Sequence, residues 1–350
     1  MSAPSIPNLL SLRGRGTGRR GRGGGRLGGS STRDSAIQGT DSDAAISRLS
    51  AVELGYMQDP FARYFAGSTG SVRRLPIINR GTYTRTMALD RLIYAFLQSN
   101  PTGERQIISL GAGTDTRCLR LFSSPETSRD LVYHELDFPT TTAQKLAKVQ
   151  NFPALRQVLP DAVPVSETNS WKSKPVLGGE YFCHGVDLRE ISDTNIYGLR
   201  VDVPTLLLSE CCLCYLDPGA AQRVISYFTE RISHGIGIAL YEAIRPDDAF
   251  GRMMVTNLAA RQIRMPTLEA FKEPASQEER LRAAGFEEVK AVAMDRLWSN
   301  WVPEEEMMRV DGLEGLDEVE EWNLLAGHYV VAWGSRGEGF AGWQTSDFSL

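Results

Sequence analysis

Residue types suited to ligand binding stand where four apolar runs end. The run 106–110 is followed by a Gly-Ala-Gly turn that opens at Gly111, where missing side chains let the backbone approach a ligand. Asp137 ends the next run, at a position where an acid typically accepts hydrogen bonds from ribose hydroxyls. Asp187 ends a third run and could reach an adenine amino group, while Glu210 ends a fourth. Each acid alone could be a helix cap, but four strand ends on one rim favour a common site.

An acid-lined site favours a ligand that combines ribose, adenine and a positive centre. S-adenosylmethionine carries a sulfonium cation and an α-ammonium group, and carboxylates stabilise both. A nicotinamide dinucleotide carries a pyrophosphate instead, which favours a fuller glycine loop, and Thr116 replaces the third glycine of that motif. A tight turn remains the simpler interpretation of the glycines alone. Taken together, the residues favour a methyltransferase.

Strands and helices that alternate after residue 105 predict the sheet that positions these residues. Seven apolar runs predict its strands, at 106–110, 131–136, 180–186, 203–209, 236–242, 286–294 and 328–334. This alternation indicates an α/β fold with a mostly parallel, seven-stranded sheet and helices on both faces. Residues 150–178 carry scattered prolines and serines and are expected to form an irregular insertion. N-terminal helices in 41–100 and a helical lid insertion at 247–284 are expected to cover the ligand crevice, which lies beyond the strand ends.

The first 40 residues differ in composition from the rest of the chain. They hold seven arginines, no lysine and one acid, Asp34, so they carry +6. Because the whole chain carries −5, the remaining residues carry −11. A Gly/Arg-rich segment with few apolar side chains cannot offset its ordering entropy, so residues 1–40 are predicted to be a disordered arm. A dispensable tail is the first interpretation, and weak RNA binding or a mitochondrial presequence are the alternatives.

Composition narrows the class of protein further. The chain of 350 residues is 42% hydrophobic, with no run near the roughly 18 apolar residues of a membrane span. Five cysteines, an odd number, favour a reducing compartment, which is the cytoplasm or the nucleus. No metal site is expected, because the four histidines show no ligand spacing. Cysteines 211, 212 and 214 are interpreted as small apolar residues at the end of a buried strand.

Six motifs resemble those of the leucine carboxyl methyltransferases. In chain order they are INRGTYTRT (78–86), SLGAGTDTR (109–117), ELDFP (135–139), VDLRE (186–190), LLSECCLCYL (207–216) and YEAIRPDDAFGRMMVTNL (241–258). The resemblance covers roughly residues 44–336. It implies a Rossmann-like class I methyltransferase domain at 41–336, dependent on S-adenosylmethionine, with residues 337–350 as a C-terminal tail.

The family methylates the C-terminal leucine carboxylate of the protein phosphatase 2A catalytic subunit. The resemblance therefore implies that this subunit is the partner, through its C-terminal tail, and that a leucine methyl ester regulates phosphatase assembly. A sister branch modifies a tRNA wybutosine base and carries a long β-propeller extension, for which this chain has no room. A monomer is expected. The acid-rich stretch 304–321 is expected to be a solvated helix face, with a contact to a basic phosphatase patch as the alternative.

The resemblance also implies site residues. The cofactor contacts are Arg48, Arg85, Gly111, Asp137, Asp187, Leu188 and Glu210. Arg85 is placed on the cofactor's own carboxylate, and the Tyr215 hydroxyl is the candidate that positions the substrate carboxylate, so these two are the catalytic candidates. Arg80 and Tyr83 are weaker candidates for that role.

A terminal carboxyl, with a pKa of about 3.3–3.7, is already ionised at neutral pH, so the reaction needs no general base. Two rival hypotheses remain open at this point. One is a small-molecule O-methyltransferase of the same fold. The other is an RNA-binding module that uses the arm and keeps the cofactor fold as a scaffold. The methyltransferase hypothesis predicts that methyl transfer survives deletion of residues 1–40, whereas RNA binding would be lost.

Overall fold

Every one of the seven predicted strands is present. The computed structural model describes residues 29–67, 72–165, 169–316, 319–345 and 348. The strands are β1 (Arg105–Leu110), β2 (Leu131–Asp137), β3 (Val163–Pro164), β4 (Trp171–Ser173), β5 (Glu180–Gly185), β6 (Thr205–Glu210), β7 (Gly235–Ala243), β8 (Glu288–Ala293) and β9 (Tyr329–Gly337). Two of them, β3 and β4, lie in the segment that was expected to be irregular.

The strands form one mixed sheet, which has nine strands within the described residues, in the order β3-β4-β5-β2-β1-β6-β7-β9-β8. Strands β5, β2, β1, β6 and β7 are parallel to their neighbours. Strand β9 is antiparallel to β7 and β8, and the short β3 and β4 extend the opposite edge in antiparallel fashion. The central parallel strands therefore end at one edge of the sheet, as predicted, and the count of seven is corrected to nine.

Helices cover both faces of this sheet, because alternate residues of each strand point to opposite sides. Within the described residues they are α1 (Gly29–Glu53), α2 (Pro76–Ser99), α3 (Arg117–Phe122), α4 (Pro125–Ser128), α5 (Pro139–Asn151), α6 (Pro153–Val158), α7 (Pro218–Thr229), α8 (Ala249–Ala260), α9 (Pro266–Ala270), α10 (Pro274–Ala283), α11 (Met294–Trp301), α12 (Glu304–Asp311) and α13 (Val319–Ala326). Along β1, Ile107 joins the core under α2, whereas Ile108 and Leu110 join the core under α7. None of the helices in the described part of the chain combines the length and apolar character that crossing a bilayer requires.

Helix α1 begins before the predicted end of the arm. Residues 1–28 lie outside the described residues, so the prediction of disorder stays a prediction there. Residues 29–40, by contrast, form the first turns of α1, which runs on to Glu53. The predicted boundary at residue 40 therefore cuts through a helix, and disorder is the wrong prediction for this part.

The last residues of the chain pack against α2. The Trp343 indole N–H donates to the carbonyl of Leu92 at 2.9 Å, and the Phe340 ring stacks on Phe96 with centroids 5.1 Å apart. Both tail aromatics are buried. The segment 337–350, where it is described, thus contributes to the hydrophobic core beside α2.

The acid-rich stretch 304–321 is not uniformly solvated. Glu314 is buried, and it accepts hydrogen bonds from the Tyr56 hydroxyl at 2.9 Å and from the Asn79 side-chain amide at 2.8 Å. The guanidinium of Arg73 pairs with the same carboxylate at 2.7 Å. The expectation of a solvated face is wrong for Glu314, because partners more than 200 positions away in the sequence satisfy its charge.

Replacing Glu314 is expected to destabilise the fold. In the Glu314→Ala variant, the buried Tyr56 hydroxyl and Asn79 amide lose their shared acceptor, which costs about 2–4 kcal/mol, whereas the exposed Arg73 guanidinium is solvated by water. Urea unfolding at pH 7 measures this loss, with the exposed Glu305→Ala as a control that changes the free energy of unfolding by less than about 0.5 kcal/mol. Equal effects in the two variants would show that Glu314 is not a structural hub.

Candidate active site

A cavity of about 330 Å³ lies at the carboxyl ends of the parallel strands. Its volume is in the range of small-molecule sites. All eight residues predicted from the sequence line it: Arg48, Arg85, Gly111, Asp137, Asp187, Leu188, Glu210 and Tyr215. The structure thus brings into one wall a set of residues that span more than 160 positions of the chain.

The glycine turn after β1 requires glycine for its own packing. Gly111 and Gly113 adopt φ values of +63° and +47°, in the left-handed region that favours glycine. A Cβ on Gly111 would lie 2.5 Å from Sγ of Cys212, and a Cβ on Gly113 would overlap the carboxylate of Asp41. Cys212 and Asp41 therefore pack closely against the turn, which also faces the cavity.

Asp137 ends β2 and faces the turn. Its carboxylate accepts the N–H of Gly113 and its own neighbour's N–H, that of Phe138, both at 2.7 Å. Burial raises the pKa of Asp137 to about 6, although these hydrogen bonds oppose the shift. The side chain remains part of the cavity wall. A ligand hydroxyl there would meet a carboxylate with lone pairs to spare.

Asp187 already has protein partners. Its carboxylate caps the 3₁₀ helix Leu188–Asp193 by accepting the Arg189 N–H at 2.9 Å, and it pairs with the Arg189 guanidinium at 2.5 Å. Arg189 also pairs with Asp34 of α1 at 3.0 Å. The predicted adenine contact stays a prediction, since a ligand amino group would have to share this carboxylate with Arg189. Leu188 supplies a buried apolar surface beside it.

Arg117, which sequence reasoning missed, is the centre of a buried charge network. It is 1% exposed and donates to Asp90 at 2.8 Å, to Asp115 at 2.7 Å and to Glu210 at 2.5 Å. Burial alone would raise the pKa of Glu210, but Arg117 and then Arg85 more than offset that, so the pKa is lowered. The signal was present in the sequence as an arginine two positions after the acid of the glycine motif.

Arg48 and Arg85 lie at the network end of the cavity. Arg48 is buried and pairs with Asp59 at 3.4 Å and with Asp115 at 3.8 Å. Arg85 donates from Nε to Glu210 and lies 5.1 Å from the centre of the Tyr241 ring. Both arginines line the cavity, so a ligand carboxylate there would meet two cations that are already held in place.

Tyr215 closes the 3₁₀ helix Leu213–Tyr215 that follows β6. It is buried in the cavity wall, where its hydroxyl lies beside the side chain of Thr40 in α1 and forms no hydrogen bond of good geometry within the described residues. Burial raises the pKa of this phenol, so it stays a donor at every physiological pH. The weaker candidates lie elsewhere, because Arg80 pairs with Asp311 and Tyr83 donates to Glu306.

Cysteines after β6 behave as packing residues. Cys212 touches the glycine turn, and burial raises the pKa of both Cys212 and Cys214. A raised pKa keeps a thiol protonated and unreactive, which supports the interpretation as small apolar residues. Cys211 lines the cavity with a φ of +50°.

One face of α1 forms a roof over the cavity. The lining residues of α1 are Asp34, Ile37, Gln38, Thr40, Asp41, Ala44, Ser47 and Arg48. The sequence predicted cover from helices in 41–100 but assigned the part of this helix before residue 41 to the arm. From the helical insertion, in contrast, Pro266 is the residue that reaches the cavity wall. Of the two segments that were expected to cover the crevice, the first helix therefore contributes more residues than the insertion does.

Comparison with known proteins gives a consistent result. A family model described as leucine carboxyl methyltransferase matches residues 36–229. Leucine carboxyl methyltransferase 1 of Emericella nidulans is 48% identical over 99% of this chain and 98% of its own length. The protein of that name from Schizosaccharomyces pombe is 39% identical over 83% of this chain and 92% of its own. Human tRNA wybutosine-synthesizing protein 4 is 34% identical over 87% of this chain, but the match covers 45% of that protein.

The residues of the cavity fit S-adenosylmethionine. Arg48 and Arg85 suit the carboxylate of its amino acid part, Asp137 suits ribose hydroxyls, and Leu188 suits the adenine face. The Tyr215 hydroxyl, with Thr40 as its neighbour, is a neutral donor that suits a second ligand in the same cavity. This chain belongs to the leucine carboxyl methyltransferase family and is a methyltransferase that uses S-adenosylmethionine.

Proposed function

We propose that this enzyme methylates the α-carboxylate of the C-terminal leucine of the protein phosphatase 2A catalytic subunit, and that the ester regulates phosphatase assembly. The family match and the names of the relatives support a leucine carboxyl group as the acceptor. The observation that carries the proposal is the Tyr215 hydroxyl in the wall of the cofactor cavity, which lies beside Thr40 of α1 and forms no hydrogen bond of good geometry within the described residues. A neutral donor there can hold a carboxylate without neutralising its charge.

The acceptor arrives ready to react. A terminal carboxylate is ionised at pH 7, so no residue has to remove a proton, and of the described residues that line the cavity none is a histidine. When bound, S-adenosylmethionine supplies a methyl group made electrophilic by its sulfonium. Tyr215 donates to one oxygen of the incoming carboxylate and leaves the other free as nucleophile.

Arg85 is placed to bind the carboxylate of the cofactor and not that of the acceptor. Its Nε is held by Glu210, and its guanidinium lies over the Tyr241 ring, so it is positioned for the cofactor's carboxylate. A full ion pair with the acceptor would quench the nucleophile. Holding both reactants in one buried cavity supplies the alignment that contributes roughly 7–11 kcal/mol in favourable cases.

The test uses tritiated cofactor and the phosphatase catalytic subunit, either full length or lacking its terminal leucine. We expect label on the full-length subunit alone. Mild base should hydrolyse the methyl ester and release this label as methanol. Equal labelling of the shortened subunit would overturn the proposal. Label that appears on small metabolites or on tRNA, with the phosphatase unlabelled, would favour a small-molecule O-methyltransferase or a tRNA enzyme of the same family.

Tyr215→Phe tests the role of the hydroxyl in the same assay. We expect kcat/KM for the phosphatase subunit to fall about 10–100-fold, because one hydrogen bond to a buried carboxylate is lost, while cofactor affinity is unchanged. The exposed Tyr94→Phe serves as the matched control. Full activity of Tyr215→Phe would assign the acceptor carboxylate to another donor.

A further inference from the structure

Asp41 reaches from the roof helix down to the glycine turn. The backbone N–H and the side-chain hydroxyl of Thr114 both donate to Oδ1 of Asp41 at 2.7 Å. The same carboxylate occupies the space that a side chain on Gly113 would need. It is also part of the cavity wall. Helix α1 therefore places a carboxylate directly on the turn that faces the cofactor.

Asp137 places a second carboxylate on the same glycine. Its Oδ2 accepts the Gly113 N–H at 2.7 Å, and this side chain too lines the cavity. Asp41 and Asp137, here named the acid pair, thus flank Gly113 from two different elements, α1 and β2. Neither residue forms a salt bridge within the described part of the chain.

The nearest cations are engaged elsewhere. Lys145 of α5 pairs with Glu135 at 2.5 Å, and Lys148 donates to the carbonyl of Tyr64 at 2.9 Å. Both lysines still lower the energy of a charge on Asp41 through space. The acid pair therefore brings two carboxylates to the cavity wall, and no cation forms a direct ion pair with either of them within the described residues.

We propose that Asp41 is a cofactor-binding residue, which accepts a hydrogen bond from the ribose of S-adenosylmethionine together with Asp137 across Gly113. The shared glycine turn holds the two carboxylates close together in the cavity wall. A ribose diol has two hydroxyl donors, which matches two acceptors. The inference concerns the cofactor alone, so it stands or falls independently of the phosphatase substrate.

If the acid pair binds the ribose, cofactor affinity must depend on whether its two carboxyl groups are ionised. Burial raises the pKa of Asp41, Thr114 and Lys145 oppose the shift, and Asp115 adds to it. Burial raises the pKa of Asp137 to about 6, and Asp41 contributes to that rise. The thiol of Cys212 also faces Asp137 and stays neutral. Because hydroxyl donors favour the ionised form, cofactor affinity should fall as pH drops through about 6.

Calorimetric titration of S-adenosylmethionine and of its product, S-adenosylhomocysteine, tests the inference without any methyl acceptor. Asp41→Asn keeps the size of the side chain and an oxygen for Thr114 but removes the charge. We expect both ligands to bind about 10–100-fold more weakly to this variant at pH 7.5, by similar factors, since both carry the ribose. The pH at which affinity falls should also move down, because Asp137 loses a neighbouring like charge.

Controls separate binding from folding. Ser42→Asn changes the next, exposed residue of α1 and should leave affinity and its pH dependence as in the wild type. Wild-type protein titrated at pH 6 in buffers of different ionisation enthalpy should release protons on binding, a measurement that needs no variant. Unchanged affinity in Asp41→Asn, a loss confined to the sulfonium ligand, or an unmoved pH midpoint would each overturn the assignment.

Discussion

Deleting residues 1–40 is expected to abolish methyl transfer, whereas deleting residues 1–28 is expected to leave it near the full-length rate. The longer deletion starts the chain inside α1 and removes Asp34 and Thr40, which line the cavity, together with the helix turns that hold Asp41 on the glycine turn. The loss of this roof should weaken cofactor binding by at least 100-fold, because one wall of the site is gone.

Methyl-transfer rates and calorimetric cofactor affinities of the two truncated proteins measure this effect. Thermal melts of both test whether each still folds, which is needed because Ala36 and Ile37 of the longer deleted segment pack against the edge of the hydrophobic core. The result is decisive for the boundary of the domain, because the sequence alone predicts that both deletions are harmless. A fully active protein without residues 1–40 would mean that α1 is not part of the working site.

Replacing Arg117 by methionine is expected to have the largest effect on stability. The side chain is buried and neutralises Asp90, Asp115 and Glu210 at once. Removing it takes away the cation that the three carboxylates share and leaves each with one other arginine, Arg120 for Asp90, Arg48 for Asp115 and Arg85 for Glu210, which costs about 3–5 kcal/mol. Urea unfolding at pH 7 measures the loss. Arg120→Met is the matched control, because Arg120 pairs with Asp90 alone and should cost less.

The free energy of unfolding of Arg117→Met should depend on pH differently from that of the wild type. In the wild type, Arg117 outweighs burial and keeps the pKa of Glu210 low, so folding is most favoured above the pKa of the unfolded chain. Without Arg117 the pKa of Glu210 rises toward its ordinary value, while Arg85 and Arg48 still oppose the effect of burial. The variant should therefore lose less stability than the wild type as pH falls below the ordinary glutamate pKa of about 4.3, because protonation of Glu210 then costs it less.

The strand-end residues were predictable because of a general property of parallel sheets. Strands β5, β2, β1 and β6 run in the same direction, so Gly111, Asp137, Asp187 and Glu210 necessarily meet at one edge. Apolar runs of five to nine residues located those strands without any knowledge of tertiary contacts. The short β3 and β4 escaped notice because two or three residues, one of them a proline, carry no periodic signal.

The roof was not predictable in the same way. The first turns of α1 are rich in Gly, Ser, Thr and Asp, which are weak helix formers, and they lack a clear apolar stripe. What holds them in place is tertiary. Asp41 binds a turn 73 positions later, and Asp34 pairs with Arg189, 155 positions later. The same distance problem hid Glu314, whose partners precede it by more than 200 positions.

The clasp between Asp34 and Arg189 ties the roof to the far wall through partly exposed side chains. Exposed ion pairs weaken as dissolved ions accumulate around them. Because this ion pair joins α1 to the segment after β5, we expect exchange of the product for fresh cofactor to become faster at high ionic strength, while the rate of methyl transfer itself stays unchanged. The turnover rate would then depend on ionic strength through cofactor exchange, and not through the methyl-transfer step.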